Sequence, residues 1–227
     1  ESPDLLILQE IIHGPIDDRT RTDRSIEVLL RAARARLAHP GEIVFLMGNH
    51  DVAELTGNEI TRGGQPSCKT FRQGLAAAFP EAHEEIHDAL EEFILALPLA
   101  ARCPNGVFVS HSLPSEEVTE ETLERCMAVL ERPYQSDDFR RGGGVYEWTW
   151  GRRHGPDHVE ELANRLDVSL FVIGHLHVPK GFERVGPRAV TLASDHGKGC
   201  VLRLSTSQSP DEESLREGVQ RITTMGA

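Results

Sequence analysis

The stretch Ile43-Val44-Phe45-Leu46-Met47-Gly48-Asn49-His50-Asp51 decides how the fold is interpreted. Its first five residues form a continuous apolar run, which is typical of a β-strand covered on both faces. The last four are polar or turn-forming and follow the strand directly. Because the carboxyl ends of strands line the ligand crevice in open α/β sheets, we expect Asn49, His50 and Asp51 to face a functional site.

Two later apolar runs also end in histidine. Val107–Ser110 is followed by His111, and Leu170–Ile173 is followed by Gly174-His175-Leu176-His177. A single histidine after a strand is usually a hydrogen-bonded loop residue, so the recurrence at three strand ends is what carries weight. One asparagine and several histidines without a thiolate form a ligand set that suits Mn, Fe or Zn. The pattern therefore predicts a metal site.

Strands and helices alternate along most of the chain, and its end is rich in strands. Apolar runs predict strands over 5–8, 43–47, 107–110, 170–173, 189–193 and 200–204. Helical periodicity predicts helices from Ser25 to about Pro40, with Ser25 as N-cap, and over 69–79, 82–97, 115–131 and 156–167. This order predicts an α/β fold with two sheets. We expect one domain over 1–204 and a polar tail over 205–227 with a short helix near 212–222.

The amino-acid composition argues against two classes of binding partner, nucleic acid polymers and membranes. The 227 residues include 24 Lys and Arg against 36 Asp and Glu, for a net charge of −12. Binding to a nucleic acid polymer needs clustered basic residues, which the sequence lacks. No window has the length and apolar character of a membrane span, so no membrane partner is expected. The four cysteines are scattered, which indicates reduced thiols and a cytoplasmic protein. The sequence indicates no oligomeric state.

Three blocks resemble consecutive motifs of the calcineurin-like metallophosphoesterases: Gly48–Asp51, Asn105–Pro114 and Gly174–His177. The middle block is most similar to the phosphoprotein phosphatase and diadenosine tetraphosphatase branch, and Tyr146–Arg152 resembles a Trp-x-Arg segment of that branch. The resemblance covers about residues 4–204. It implies an α/β/β/α sandwich and the hydrolysis of a phosphate ester or anhydride.

The resemblance also implies a centre of two divalent metal ions. One ion would be held by Asn49, His111 and His175, and the other by His177. A hydroxide bridging the ions would attack phosphorus, which fits the general chemistry of two-metal sites. His50 would protonate the leaving oxygen or hold the phosphoryl group, with Asp51 orienting its ring.

Residues outside these blocks are weaker candidates for the functional site. Arg152 is the candidate for binding a phosphoryl oxygen, for which a guanidinium is suited. No chemistry is assigned to four further histidines, at positions 83, 87, 154 and 158.

The sequence departs from two other motifs of the family. An Asp-x-His block is absent, and we expect it to precede Glu1, so that the domain is incomplete at its N-terminus, its first strand is missing and one metal ion binds instead of two. For the block that supplies the bridging aspartate, two alignments compete. One places Glu10 there, directly after the first strand. The other places Gly14–Arg19 there and puts Pro15 at the ligand position. Because proline cannot bind a metal, we favour Glu10.

The leading hypothesis is a phosphatase-type hydrolase acting on a phosphoprotein or a nucleotide-type substrate. The altered motifs keep a second hypothesis open, a metallophosphoesterase-like fold that has lost turnover and serves as a binding or regulatory module. A third, a mononuclear metal hydrolase outside the family, would require that the natural protein also lack the Asp-x-His block.

Overall fold

The computed structural model describes residues 4–19 and 21–224. The chain divides into two compact units, the first ending at Pro98 and the second beginning at Leu99. Each unit contains both helices and strands, which confirms the predicted α/β class. The predicted domain boundary at residue 204 stays a prediction.

The first unit pairs two parallel strands through a crossover helix. Its elements are β1 Leu6–Gln9, α1 Ser25–Ala38, β2 Ile43–Leu46, α2 Asn49–Thr56, β3 Thr61–Arg62, β4 Gln65–Pro66, α3 Ser67–Ala78 and α4 His83–Leu95. Strands β1 and β2 run parallel, with Gln9 opposite Leu46. The carboxyl ends of both strands therefore lie at the same edge.

Apolar side chains of these elements form the core of the first unit. Fully buried members include Leu46, Met47, Phe71, Leu75 and Ile94. The buried residues Phe71 and Leu75 lie four apart in α3, as expected of one apolar helix face. Phe71 also packs edge to face on His13, with the ring centroids 5.4 Å apart, which places α3 beside the loop after β1.

Helix α1 begins at the predicted residue but is capped differently. Ser25 is the first helical residue, and no side-chain cap comes from the preceding Arg24. Asp23 instead accepts a hydrogen bond from the Ser25 backbone nitrogen at 2.7 Å. The prediction of Ser25 as N-cap was wrong, because an aspartate two residues earlier supplies the acceptor.

The second unit is built on a mixed five-stranded sheet. Its elements are β5 Ala100–Arg102, β6 Val107–Ser110, α5 Glu120–Ala128, α6 Gly144–Trp150, α7 Pro156–Leu166, β7 Leu170–Ile173, β8 Phe182–Val185, β9 Ala189–Leu192, β10 Cys200–Leu202, α8 Glu212–Gly218 and β11 Val219–Arg221. The strand order is β5-β6-β7-β9-β8. Strands β6 and β7 are parallel, with Ser110 opposite Ile173. The two predicted histidine segments thus leave the sheet at one edge.

Helix α5 is shorter than the predicted 115–131. It starts after Thr119, whose side chain accepts a hydrogen bond from the Thr122 backbone nitrogen. The residues before Thr119 form hydrogen bonds with a distant part of the chain. The Glu116 backbone nitrogen donates to Arg153 O at 3.0 Å, and the Glu116 carboxylate accepts from Gly155 N at 3.0 Å. These non-local bonds keep the segment out of the helix.

The chain after residue 204 contains more structure than the predicted short helix near 212–222. Helix α8 ends at Gly218, and β11 then pairs with β10 in antiparallel register. Nearer the start of this segment, the carbonyl oxygens of Ser205 and Gln208 accept hydrogen bonds from the side chain of Asn105. The last three residues of the predicted tail lie outside the described residues.

No helix within the described residues has both the length and the apolar character needed to cross a membrane. All four cysteines lie in the described part of the chain and are free thiols.

Candidate active site

Four predicted site residues lie together at the strand ends of the first unit. Glu10 directly follows β1, and Asn49, His50 and Asp51 form the first turn of α2 after β2. Asn49 and Asp51 are buried, whereas Glu10 and His50 are partly accessible. Parallel pairing of β1 with β2 explains why residues forty positions apart meet here.

His50 is fixed through both of its ring nitrogens. Its Nε2 lies 2.9 Å from Glu10 Oε1. Its Nδ1 lies 3.0 Å from His13 Nδ1, and the two rings pack edge to face. The His50 side chain is 13% exposed, so it is held firmly but stays within reach of a substrate.

A buried charge network continues behind His13. His13 Nε2 lies 2.9 Å from Glu54 Oε2, and both side chains are 0% exposed. The other carboxylate oxygen of Glu54 accepts from Arg72 Nε at 2.6 Å and lies 2.9 Å from His87 Nε2. Burial by itself would raise the pKa of Glu54, but the hydrogen bonds from His13, Arg72 and His87 outweigh it and lower the pKa to about 2.

The network sets the positions of protons along the chain of rings. Because Glu54 is ionised and can only accept, His13 donates to it from Nε2, and in a neutral His13 ring Nδ1 is then the acceptor. His50 therefore donates to His13 from Nδ1. The Nε2 of His50, beside Glu10, is therefore the ring nitrogen that can exchange a proton with a substrate.

Asp51 plays a part different from the predicted orientation of the His50 ring. Its Oδ2 accepts a hydrogen bond from the Gly48 backbone nitrogen at 2.7 Å, which caps α2. The ring nitrogens of His50 are taken by Glu10 and His13 instead. Burial, and next to it the charge of Glu10, raise the pKa of Asp51 to about 7.

Sequence reasoning assigned no role to His13 or Glu54 and expected no partner for His87. One signal was present, since Glu54 lies four residues after His50 and so shares a face of α2 with it. His13 gave no such signal. Its backbone, like that of Glu10, has a positive φ, 60° and 51° respectively, and this loop conformation is not readable from sequence.

The second unit brings two predicted metal ligands together. His111 follows β6 and is buried, and His175 follows β7 with a left-handed φ of 62°. His111 Nε2 lies 3.2 Å from His175 Nδ1. The loops are joined by a hydrogen bond of 3.0 Å from Gly174 N to His111 O.

This pair of imidazoles fits a divalent metal ion. Two nitrogens bound to one first-row ion at about 2.1 Å lie roughly 3.0–3.5 Å apart. The observed separation of 3.2 Å between His111 and His175 falls in that interval. Neutral imidazole suits Mn, Fe and Zn alike, so the donor set does not select one of them.

His177 and Arg152 lie in other surroundings. The exposed His177 packs its ring 5.9 Å from that of His196, whose Nε2 contacts Val178 O at 2.9 Å. Arg152 is exposed, and its backbone donates to Ser115 Oγ at 3.0 Å. Their assignment to metal and substrate stays a prediction, as does the convergence of Asn49 with the histidines of the second unit.

Trp150 is a further neighbour of the histidine pair. Its ring lies 6.3 Å from His175 in an edge-to-face arrangement and stacks on Tyr146 at 5.6 Å. Trp148, by contrast, is fully buried and donates from Nε1 to Cys126 O at 2.7 Å.

Comparison with known proteins identifies relatives of this arrangement. A serine/threonine-protein phosphatase of Caenorhabditis elegans is 27% identical over 184 residues, which cover 75% of this chain and 38% of the relative. The chain thus spans well under half the length of that protein.

Two solved structures are similar in fold. A protein serine/threonine phosphatase from Saccharomyces cerevisiae, with similarity to human phosphatase PP5, superposes with a TM-score of 0.58 at 17% identity over 86% of this chain and 64% of its own. A cold-active protein tyrosine phosphatase gives a TM-score of 0.48 at 14% identity over 84% and 71% of the two chains, which is too low for any conclusion.

The family model of the calcineurin-like phosphoesterases matches residues 11–179. That match covers most of the chain and includes all three strand-end blocks, so this chain belongs to the calcineurin-like phosphoesterase family.

Proposed function

We propose that this chain is a metal-dependent phosphatase that hydrolyses phosphate esters on a phosphorylated protein. Family membership supports phosphate ester hydrolysis. The name of the Caenorhabditis elegans relative favours a phosphorylated protein over a nucleotide-type substrate. The observation that carries the proposal is His50, held at a strand end through both of its ring nitrogens.

His50 acts as the general acid in this proposal. Its Nδ1 is committed to His13, so the proton given to the leaving oxygen comes from Nε2. The carboxylate of Glu10 lies 2.9 Å from Nε2 and marks the place that the leaving oxygen would take. His13 and Glu54 keep the ring from turning, which preserves the geometry that proton transfer needs.

The residues proposed to hold divalent metal are Glu10 and Asn49 in the first unit and His111, His175 and His177 in the second. When bound, such ions supply Lewis-acid stabilisation of the phosphoryl charge and lower the pKa of water. The proposed number of bound metal ions is two, and the proposed metals are Mn, Fe or Zn. The fit rests on the 3.2 Å approach of the His111 and His175 ring nitrogens.

The test is the leaving-group dependence of a His50→Asn variant. Loss of a general acid should lower kcat on a phosphoserine peptide by about 10²–10⁴-fold, because the serine alkoxide is a poor leaving group. The loss on p-nitrophenyl phosphate should be much smaller, because nitrophenolate leaves without a proton. His39→Asn is the matched control, since that side chain is 58% exposed and precedes β2, whereas His50 follows the other end of that strand.

Equal losses on both substrates, with folding intact by circular dichroism, would rule out the acid role. Unchanged turnover of both would rule out His50 as a catalytic residue altogether.

A second candidate function is a binding module without turnover. It is favoured by the contact of Glu10 with His50 Nε2, which covers the nitrogen needed for catalysis. Metal analysis and phosphopeptide binding distinguish the two candidates, because a module would bind the phosphopeptide but release no phosphate from it when loaded with metal.

A further inference from the structure

A second set of metal-binding side chains lies behind His50, apart from the ligands implied by the family. The ligand atoms of His13, Glu54 and Cys68 all lie within 4.8 Å of one another. His13 and Glu54 are fully buried, and Cys68 is 4% exposed. They come from the loop after β1, from α2 and from α3, so the fold assembles the set from distant parts of the first unit.

We propose that His13, Glu54 and Cys68 form a buried site for a thiophilic divalent cation such as Zn²⁺. Imidazole nitrogen, carboxylate oxygen and thiolate sulfur are the protein donors of zinc sites. His87, whose Nε2 lies 2.9 Å from the second oxygen of Glu54, holds that carboxylate in place and lies outside the set of three. The family ligands contain no sulfur, so this site differs from them in chemistry as well as in residues.

Glu54 is in its binding form before any cation arrives, whereas burial, and next to it the charges of Glu54 and Glu59, raise the pKa of Cys68 to about 12, so the cation itself must displace the thiol proton. Glu54 is already ionised, because Arg72 and two histidines bond to its carboxylate. Without a cation, these bonds also satisfy the buried charge, so the site can be filled and emptied while the unit stays folded. Cys68 gives its thiol proton to solvent as the sulfur–metal bond forms, since a coordinating thiol is deprotonated.

A route to the site is present. Cys68 lines a cleft of about 490 Å³ together with Glu59, Arg72 and His83. Cys68, although only 4% exposed, therefore lies at the wall of the cleft from which an ion would approach. Arg72 is 47% exposed, so its charge is screened by water and opposes the approach of a cation only weakly.

Binding would also reach His50. With His13 Nε2 on the cation, the proton of the ring moves to Nδ1, which then donates to His50 Nδ1 across the 3.0 Å contact. The proposed cation site is thus in contact with the proposed catalytic histidine through the ring of His13.

The experiment uses the full chain and Co²⁺, which replaces Zn²⁺ and reports sulfur ligation. Titration with Co²⁺ should produce a sulfur-to-cobalt charge-transfer band in the near ultraviolet, whereas nitrogen and oxygen ligands give only weak visible bands. The band should be lost in Cys68→Ser and retained in Cys126→Ser, a matched change at another fully buried cysteine. Metal stoichiometry should fall by one ion in Cys68→Ser alone.

Absence of the band in the wild-type chain, or its persistence in Cys68→Ser, would overturn the proposal. If Cys68→Ser does not fold, X-ray absorption of the wild-type chain with one equivalent of Zn²⁺ decides, because a sulfur shell near about 2.3 Å supports the site and a nitrogen and oxygen shell alone refutes it. Neither readout depends on phosphatase activity, so the site and the proposed function can fail separately.

Discussion

Glu54 carries a negative charge at a position that solvent does not reach, and single side chains around it determine the state of the whole network. Burying an unpaired carboxylate is costly, and the cost is met here by hydrogen bonds from His13, Arg72 and His87. The same bonds orient His13, and through it His50. A residue three positions beyond the Gly48–Asp51 motif therefore controls the geometry inside it.

At this scale we predict that Glu54→Gln destabilises the chain by about 2–3 kcal/mol, because the charge-assisted hydrogen bonds to the histidines and the guanidinium are lost. Glu91→Gln is the control, since that side chain is 40% exposed and lies 3.5 Å from His87. It should cost less than about 0.5 kcal/mol. Urea unfolding with a chelator present measures both, and equal costs would show that the network contributes no stability.

At the scale of elements, the turn from α6 into the following loop positions the loop that carries His111. Gly151 follows α6, and a Cβ atom built there would lie 1.7 Å from Leu113 O. Ser112 Oγ donates to Gly151 O at 2.6 Å, and His154 Nε2 contacts Leu113 O at 2.9 Å. Backbone contact this close leaves no room for a side chain at position 151.

Gly151→Ala should therefore destabilise the chain by about 1–3 kcal/mol, the usual cost of overpacking. Gly197→Ala is the matched change, because its Cβ would meet nothing within 4 Å. We expect it to stay within about 0.5 kcal/mol of wild type. Thermal unfolding compares the two variants, and a similar melting temperature for both would contradict the contact at Leu113.

The short helical turn Ser136–Phe139 gives a prediction about pH. Arg132 donates two hydrogen bonds to Asp138, at 2.7 and 2.6 Å, and holds the pKa of that carboxyl below its usual range. A depressed pKa in the folded state means that the stabilisation is present above about pH 4, the usual aspartate value, and is lost as the pH falls through the folded value.

Asp138→Asn should lower the melting temperature by about 2–4 °C at pH 7, and the difference should shrink as the pH falls below about 4. Melting curves of both proteins from pH 7 downward provide the measurement. A difference that stays constant with acidification would mean that the ion pair does not cause it.

At the scale of the whole molecule, the net charge of −12 shapes which substrates approach. Long-range attraction favours cationic partners and is screened as ionic strength rises. The electric field of the net charge affects how fast a partner meets the protein. It has little effect inside a site that would carry its own cations.

If the proposed phosphatase activity holds, a phosphopeptide with basic flanking residues should lose roughly three- to tenfold in kcat/KM between about 20 and 200 mM NaCl. A peptide with acidic flanks should gain or stay level, and one with neutral flanks should change little. Steady-state kinetics on the three peptides provide the comparison. The same salt response for all three would remove charge steering as a source of selectivity.

The local elements of the fold follow from neighbouring residues. Strands β6 and β7 start and end where their apolar runs do, because burial on both faces demands such runs. The motif at Gly48–Asp51 also indicated the family, which the match over residues 11–179 confirms. In both cases the information lies in neighbouring residues, which is why sequence alone sufficed.

The contacts of the side chains depend on how distant segments pack together. The pairing of β11 with β10, the late start of α5 and the partners of His50 all depend on residues far apart in the chain. Hydrogen bonds form wherever folding brings a donor and an acceptor together, and no local pattern encodes that meeting. His13 shows this most clearly, because its place between His50 and Glu54 arises from a loop conformation and the packing of α2, and neither can be read from the residues beside it.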